Sequence, residues 1–117
     1  DYEQGAWTPS VPNSSQVHGG YICLGSQFTG WFRFTLGNAG QATTMAGLPY
    51  ANYSDVYGSG TSTYACNFSG NFGGDRWGNL GSNGSTSISF ENCNYETSAV
   101  PANKFGSGWF SYEFQAN

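Results

Sequence analysis

The sequence predicts an all-β domain, an antiparallel β-sandwich of jelly-roll-like form with nearly no helix. Three observations carry that expectation. Nine Phe, eight Tyr and four Trp accompany 18 glycines in 117 residues, and large apolar side chains mixed with turn formers suit short strands joined by tight turns. The segment 28–36 alternates strictly, with Phe28, Gly30, Phe32, Phe34 and Leu36 set against Thr29, Trp31, Arg33 and Thr35. No segment shows sustained apolar spacing at three and four among good helix formers.

Further strands are expected at 7–11, 20–24, 43–48, 61–72, 85–90 and 109–114. Breakers separate them at 37–40, at Leu48-Pro49, at Gly58-Ser59-Gly60 and through the glycine-rich stretch 70–84. About seven short strands with frequent turn signals indicate a sandwich or barrel. A chain of this length holds one core, so residues 1–117 form one domain, and no internal repeat is present. On the 28–36 strand the Phe28 set faces the core. Trp31 falls on the other face, where it is a candidate oligomer-interface residue. The stretch 71–85 reads as a long connection carrying Asp75, Arg76 and Trp77. It is either a functional loop or one rigidified by Arg76 packing on the indole and pairing with Asp75.

Charged residues make up only 9% of the chain, three basic against seven acidic, for a net charge of −4. Scattered Arg33, Arg76 and Lys104 make no cationic patch, so nucleic acid is not an expected partner. A neutral surface rich in Tyr, Trp and Phe is readily buried against partner subunits, so an oligomer is expected over a monomer. Three cysteines, Cys23, Cys66 and Cys93, cannot all pair within the chain, and a Cys66–Cys93 bridge is left open. No apolar run reaches the ~20 residues of a membrane span, so no membrane insertion is expected. The chain begins at Asp1 without Met or signal-peptide features, which reads as a piece of a longer or processed protein.

The residue types needed for catalysis are sparse. His18 is the only histidine and stands near no recognisable nucleophile motif. Asp55, Asp75, Glu91 and Glu96 are candidates for a glycosidase carboxylate pair, but the acids are few and no deep groove is implied. Cys23, Cys66, Cys93 and His18 have the ligand count of a zinc site and lack its close paired spacing. No phosphate-cradling motif is present, and the Asn-x-Ser matches at Asn13, Asn52, Asn67 and Asn83 read as chance in a chain rich in Asn and Ser. No catalytic residue, metal or cofactor is therefore expected.

Three blocks of the sequence point to a family. Asp1-Tyr2-Glu3-Gln4-Gly5-Ala6-Trp7-Thr8-Pro9 resembles the DDYEEGTWTP segment of bacteriophage tail fibre and tail spike proteins, which there lies between a shaft and a terminal β domain. Gly20-Tyr21-Ile22-Cys23-Leu24-Gly25 is similar to that family's GxYTKIG strand, and Met45-Ala46-Gly47-Leu48-Pro49-Tyr50 to its ITGLPF signature. The blocks occur in family order over the first half of the chain. Cys23 and Leu24 depart from the family's Lys and β-branched residue, and 71–85 has no counterpart. Pro9 and Gly47-Leu48-Pro49 read as fold determinants.

The resemblance implies a structural virion appendage domain, homotrimeric, joined to other virion proteins and attaching to a host cell-surface glycan or protein. Two alternatives stay open: a head fibre or capsid decoration of purely architectural role, and a polysaccharide-cleaving spike or carbohydrate-binding module. Recognition on a rigid sandwich is expected in exposed loops bearing flat aromatic rings. Two segments qualify. Residues 50–57 offer Tyr53, Asp55 and Tyr57, and 71–85 offers Asp75, Arg76 and Trp77. The competing expectation is that these aromatics pack within the domain or across a trimer axis.

Overall fold

A computed structural model describes residues 2–53, 63–65, 68–71, 76–81, 84–92, 94 and 96–114. Among them lie nine strands and no helix: β1 (Tyr2–Ala6), β2 (Ser14–Leu24), β3 (Gln27–Leu36), β4 (Thr44–Met45), β5 (Thr63–Ala65), β6 (Phe68–Asn71), β7 (Trp77–Gly81), β8 (Ile88–Glu91) and β9 (Phe105–Glu113). They form two antiparallel sheets, one of order β1-β2-β3-β9-β6 and one of order β4-β8-β7-β5. Phe28, Phe32, Phe34, Phe110 and Tyr112 of the first sheet and Met45, Leu80, Ile88 and Phe90 of the second belong to one buried cluster. The Phe34 and Phe90 rings, 5.9 Å apart, join the two layers. The all-β, sandwich-like architecture read from the sequence is the one observed.

The centre of the larger sheet is β3, and its alternation decides what each face contains. Phe28, Gly30, Phe32, Phe34 and Leu36 are buried, while Gln27, Thr29, Trp31 and Arg33 are exposed, as the period of two requires. Because β2 and β9 both pair antiparallel with β3, the same parity passes to their inward residues Cys23, Phe110 and Tyr112. The β2–β3 hairpin turns on Gly25-Ser26, with φ of +59° at Gly25 alone. A two-residue turn with left-handed backbone only at its first central position is type II′, a site made for glycine. Earlier in β2 the register shifts between Ser15 and His18, and Gln16 takes φ of +52° there, an extra residue accommodated as a β-bulge.

Four expectations are corrected. The first strand is Tyr2–Ala6 and not 7–11, because Trp7, Pro9 and Val11 turn away from the sheet edge and are buried. Proline cannot donate to a ladder, and the Trp7 indole fills the core instead, edge-on to Phe110 at 5.9 Å. The segment 61–72 is not one strand. Its two pieces, β5 and β6, lie in different sheets. The stretch 71–85 is not simply a connection, since β7 runs through it with Leu80 fully buried; one aliphatic anchor with ladder partners on both sides outweighs the local glycine content.

The fourth correction concerns Gly5 and Gly19, which lie in strands as the expected strand residues Gly20 and Gly30 do. Gly5, Gly19, Gly20 and Gly30 all lie inside strands, where glycine is intrinsically unfavourable. Each leaves space that a neighbouring ring fills. A Cβ on Gly30 would stand 2.7 Å from Phe28 Cε1 and 3.0 Å from Phe110 Cζ, and one on Gly19 2.7 Å from Trp7 Nε1.

Gly30→Ala therefore overpacks two fully buried rings and should lower stability by about 1–3 kcal/mol. Gly37→Ala, whose added methyl meets nothing nearer than 3.8 Å, should change it by less than about 0.5 kcal/mol. Urea unfolding of the two variants beside the parent checks the pair, and equal effects would remove the steric account of the strand glycines.

Candidate functional site

The outward face of the larger sheet carries an apolar surface. The large hydrophobic side chains left exposed among the described residues are Tyr2, Ile22, Leu24, Trp31, Phe105 and Trp109. Strand register puts all six on one face: Tyr2 opposes Leu24, Ile22 opposes Thr29, Trp31 opposes Trp109 and Phe105 opposes Thr35. Single exposed apolar residues are ordinary, whereas six on one sheet face form a patch of the kind used for contact.

Within that face lies a cleft of about 430 Å³ over β1, β2 and β3. Two rows of paired residues build it. One runs Ala6, Gly20, Trp31, Trp109 across four strands, and the next runs Gln4, Ile22, Thr29, Ser111. The first row sets the two smallest side chains beside the two largest, and with the Trp31 indole lying over the buried Gly20 the surface steps down from that ring to Ala6 on the β1 edge. Trp31 leans across the step. Its ring covers Gly20 so closely that a Cβ there would stand 2.8 Å from Cε2. From the core side the Trp7 Nε1–H donates to the Trp31 carbonyl at 3.0 Å, which ties the strand beneath the exposed indole to a buried one. Trp31 and Trp109 each remain half exposed.

The polar flank is ordered by its own hydrogen bonds. Gln27 Nε2 donates to Ser111 Oγ at 3.1 Å, and the Thr29 and Ser111 hydroxyls share a bond of 2.8 Å. At the β1 edge the Tyr2 hydroxyl donates to the Gln4 carboxamide oxygen. The cleft lining, including Gln4, Ala6, Ile22, Thr29, Trp31 and Trp109, contains no Asp, Glu, Lys, Arg or His. Arg33 and His18 form the next cross-strand pair along the face.

On the inward parity of β1, a carboxylate cluster fastens the sheet edge. Glu3 accepts from the Tyr50 hydroxyl at 2.6 Å and from Tyr21 at 2.8 Å. These bonds, Tyr50's first and then Tyr21's, hold the Glu3 carboxyl below the ordinary carboxylate range. The same bonds push the Tyr50 phenol up to about 12 and raise Tyr21. Tyr50 is held in turn by the Tyr112 hydroxyl, which donates to its carbonyl at 2.6 Å, and by stacking on Phe114 at 4.5 Å. Burial raises the phenol of Tyr112 and the thiol of Cys23. The cluster joins β1, β2 and the chain after Pro49, and its role is mechanical.

The structure distributes the residues singled out in the sequence unevenly. Trp31 is exposed, and it is joined by Trp109, Gln4 and Thr29. Trp109 was not singled out, yet its alternation was legible: Phe105, Ser107, Trp109 and Ser111 take one face of β9, Phe110 and Tyr112 the other. Tyr53 is half buried, and its backbone N–H donates to the Glu113 carbonyl at 2.9 Å. Arg76 is half buried, with Nη2 donating to the Ala99 carbonyl at 2.6 Å, and Trp77 pairs with Glu91 through the β7–β8 ladder. Asp55, Tyr57 and Asp75 lie outside the described residues, as do Cys66 and Cys93.

Glu91, one of the candidate acids, is buried and accepts from Asn79 Nδ2 at 2.7 Å. Glu96 closes a turn, its N–H donating to Asn92 Oδ1 at 3.2 Å. Cys23 and His18 point to opposite faces of β2, so no single ion reaches both. Among the described residues no three His, Cys, Asp or Glu side chains gather as metal ligands, and no helix is long and apolar enough to cross a membrane. No family model, curated protein or solved structure matches the chain.

The Glu3 cluster gives stability a pH dependence at both extremes. The Tyr50 phenol is pushed from its ordinary 10.0 up to about 12, first by its bond to Glu3 and then by burial, so its contribution is complete below pH 10 and lost as pH rises through about 12. The lowered Glu3 contributes above its ordinary value of 4.5 and loses that contribution as pH falls below it. Glu3→Gln should return the Tyr50 midpoint toward 10, read from tyrosinate absorbance against a Tyr50→Phe blank. An unchanged alkaline titration would remove Glu3 as its cause.

Proposed function

We propose that this chain is a β-sandwich-like domain of a virion appendage, a tail fibre or related structure, that assembles as a homotrimer and attaches to the host cell surface without catalysing a reaction. The observation that carries the reading is the single outward sheet face on which six large apolar side chains are exposed, a contact surface built on rigid strands. The resemblance of Asp1–Pro9, Gly20–Gly25 and Met45–Tyr50 to appendage proteins supports it, and so does the way these blocks meet. Glu3 of the first bonds to Tyr21 of the second and Tyr50 of the third, and Ser10 bridges Ala46. Gly47, at φ +92°, lies 3.1 Å by its would-be Cβ from the Thr8 carbonyl.

Among the described candidate acids, Glu91 is engaged by Asn79 inside the fold, which favours binding over hydrolysis. A glycosidase keeps two carboxyl groups facing one sugar, ~5–9.5 Å apart.

Light scattering should give the mass of three chains, and labelled protein should bind cells of the host while leaving their surface polysaccharide at full length. A stably folded monomer would overturn the trimer. Released glycan fragments would make the domain a depolymerase, and neither attachment nor cleavage would leave the architectural role of a head fibre.

A further inference from the structure

The depression between Ala6 on β1 and the Trp31 and Trp109 indoles is shaped for a small flat ligand. A second sheet would rest on the outward face as a plane, but the cleft is a local depression whose volume of about 430 Å³ falls in the ~300–1,000 Å³ range of small-molecule sites. Its chemistry is divided. Trp31, Trp109 and Ile22 supply apolar and aromatic surface, and Gln4 and Thr29 line the same cleft with an amide and a hydroxyl group. A pyranose ring has the matching division, with C–H groups on its faces and hydroxyls around its rim. A tryptophan ring covers such a face without orphaning any hydroxyl.

We propose that this cleft binds a neutral saccharide, a pyranose packed against Trp109 and Trp31 with its hydroxyls bonded to Gln4 and Thr29. The proposal rests on the attachment reading above and names the ligand class of the same face. Neutrality follows from the lining, which holds no ionisable side chain other than Tyr21, while Arg33 stands one cross-strand pair beyond it. The site is preorganised: Gly20 seats the Trp31 indole, Trp7 holds the Trp31 carbonyl at 3.0 Å, and Ser111 fixes Thr29 at 2.8 Å. Ligand binding therefore orders few additional side chains. Gly20 is a positioning residue, since a Cβ there would displace the Trp31 indole.

The test is a titration of intrinsic tryptophan emission with neutral oligosaccharides built from glucose, galactose, mannose and N-acetylglucosamine, set beside alginate and hyaluronan oligosaccharides. Saturable binding of at least one neutral sugar, without binding of the acidic ones, is the expected result. Trp109→Ala and Trp31→Ala should each weaken it at least about tenfold, and Gly20→Ala, which displaces the Trp31 indole, should do the same. Thr29→Val removes the rim hydroxyl while keeping a β-branched strand residue, so it should weaken binding several-fold even if a Trp variant fails to fold.

Three results would overturn the proposal: no neutral sugar bound, unchanged affinity in folded Trp variants and Thr29→Val, or a Trp variant that folds but loses its oligomeric mass. The last would make the face a contact between copies of the chain. Labelled-cell attachment separates the two readings. Attachment that survives in the double variant Trp31→Ala, Trp109→Ala sinks the saccharide site alone, and parent protein that fails to attach while still binding a neutral sugar sinks the host-attachment reading alone.

Discussion

Steric matching of glycine and aromatic side chains across neighbouring strands is the constraint on which the larger sheet depends. Gly5 opposes Tyr21, Gly20 opposes Trp31 and Gly30 opposes Phe110 in the ladder, and in each pair the ring occupies the space a Cβ would take. Rings of this size cannot stand upright side by side on a twisted sheet at the normal strand spacing. Removing a side chain next door lets each lie down over backbone. The cost of glycine in a strand is thereby offset by aromatic contact, and the same device operates on both faces. Inward it closes the core around Phe28 and Phe110; outward it cuts the cleft beside Trp31.

The second coupling runs along the edge of the fold. β1 is an exposed edge strand, every residue of which is solvent-accessible, and its own burial contributes little. What keeps it in register is polar: Glu3 receives two phenols, one from the adjacent strand and one from the segment after Pro49. Just beyond, Trp7 leaves the sheet and becomes part of the core. The chain thus passes from a hydrogen-bonded edge to a buried anchor within a few residues. Gln4, Gly5 and Ala6 lie between these fixed points and line the cleft, so the elements that stabilise the edge also set the shape of the surface.

The low charge of the chain takes on physical meaning in this arrangement. Polar residues of the outer face are largely uncharged amides and hydroxyls, several already bonded to one another through Ser111. Desolvating such a face costs less than desolvating charges, and short cross-strand hydroxyl bonds lose little entropy on contact. A face of this composition suits association through shape and aromatic surface, with charge left to Arg33 beyond the cleft and Glu113 near the sheet end.

By itself the sequence determined the all-β class, the position of β3 and the division of its residues between core and surface. A period of two over nine residues admits one assignment, which is why Trp31 was placed outward correctly. It also carried the motif blocks, although not the fact that Glu3, Tyr21 and Tyr50 share hydrogen bonds, because contacts across tens of residues leave no periodic trace. Tertiary structure alone decided the rest. Glycine signals a turn locally but fills a strand position when a partner's ring takes its place, so β7 and the strand places of Gly5 and Gly19 were illegible until the ladders were known. The cleft was hidden for the same reason: Ala6, Gly20, Trp31 and Trp109 are adjacent only through the register of four strands, and register is set by the packing of the whole sheet.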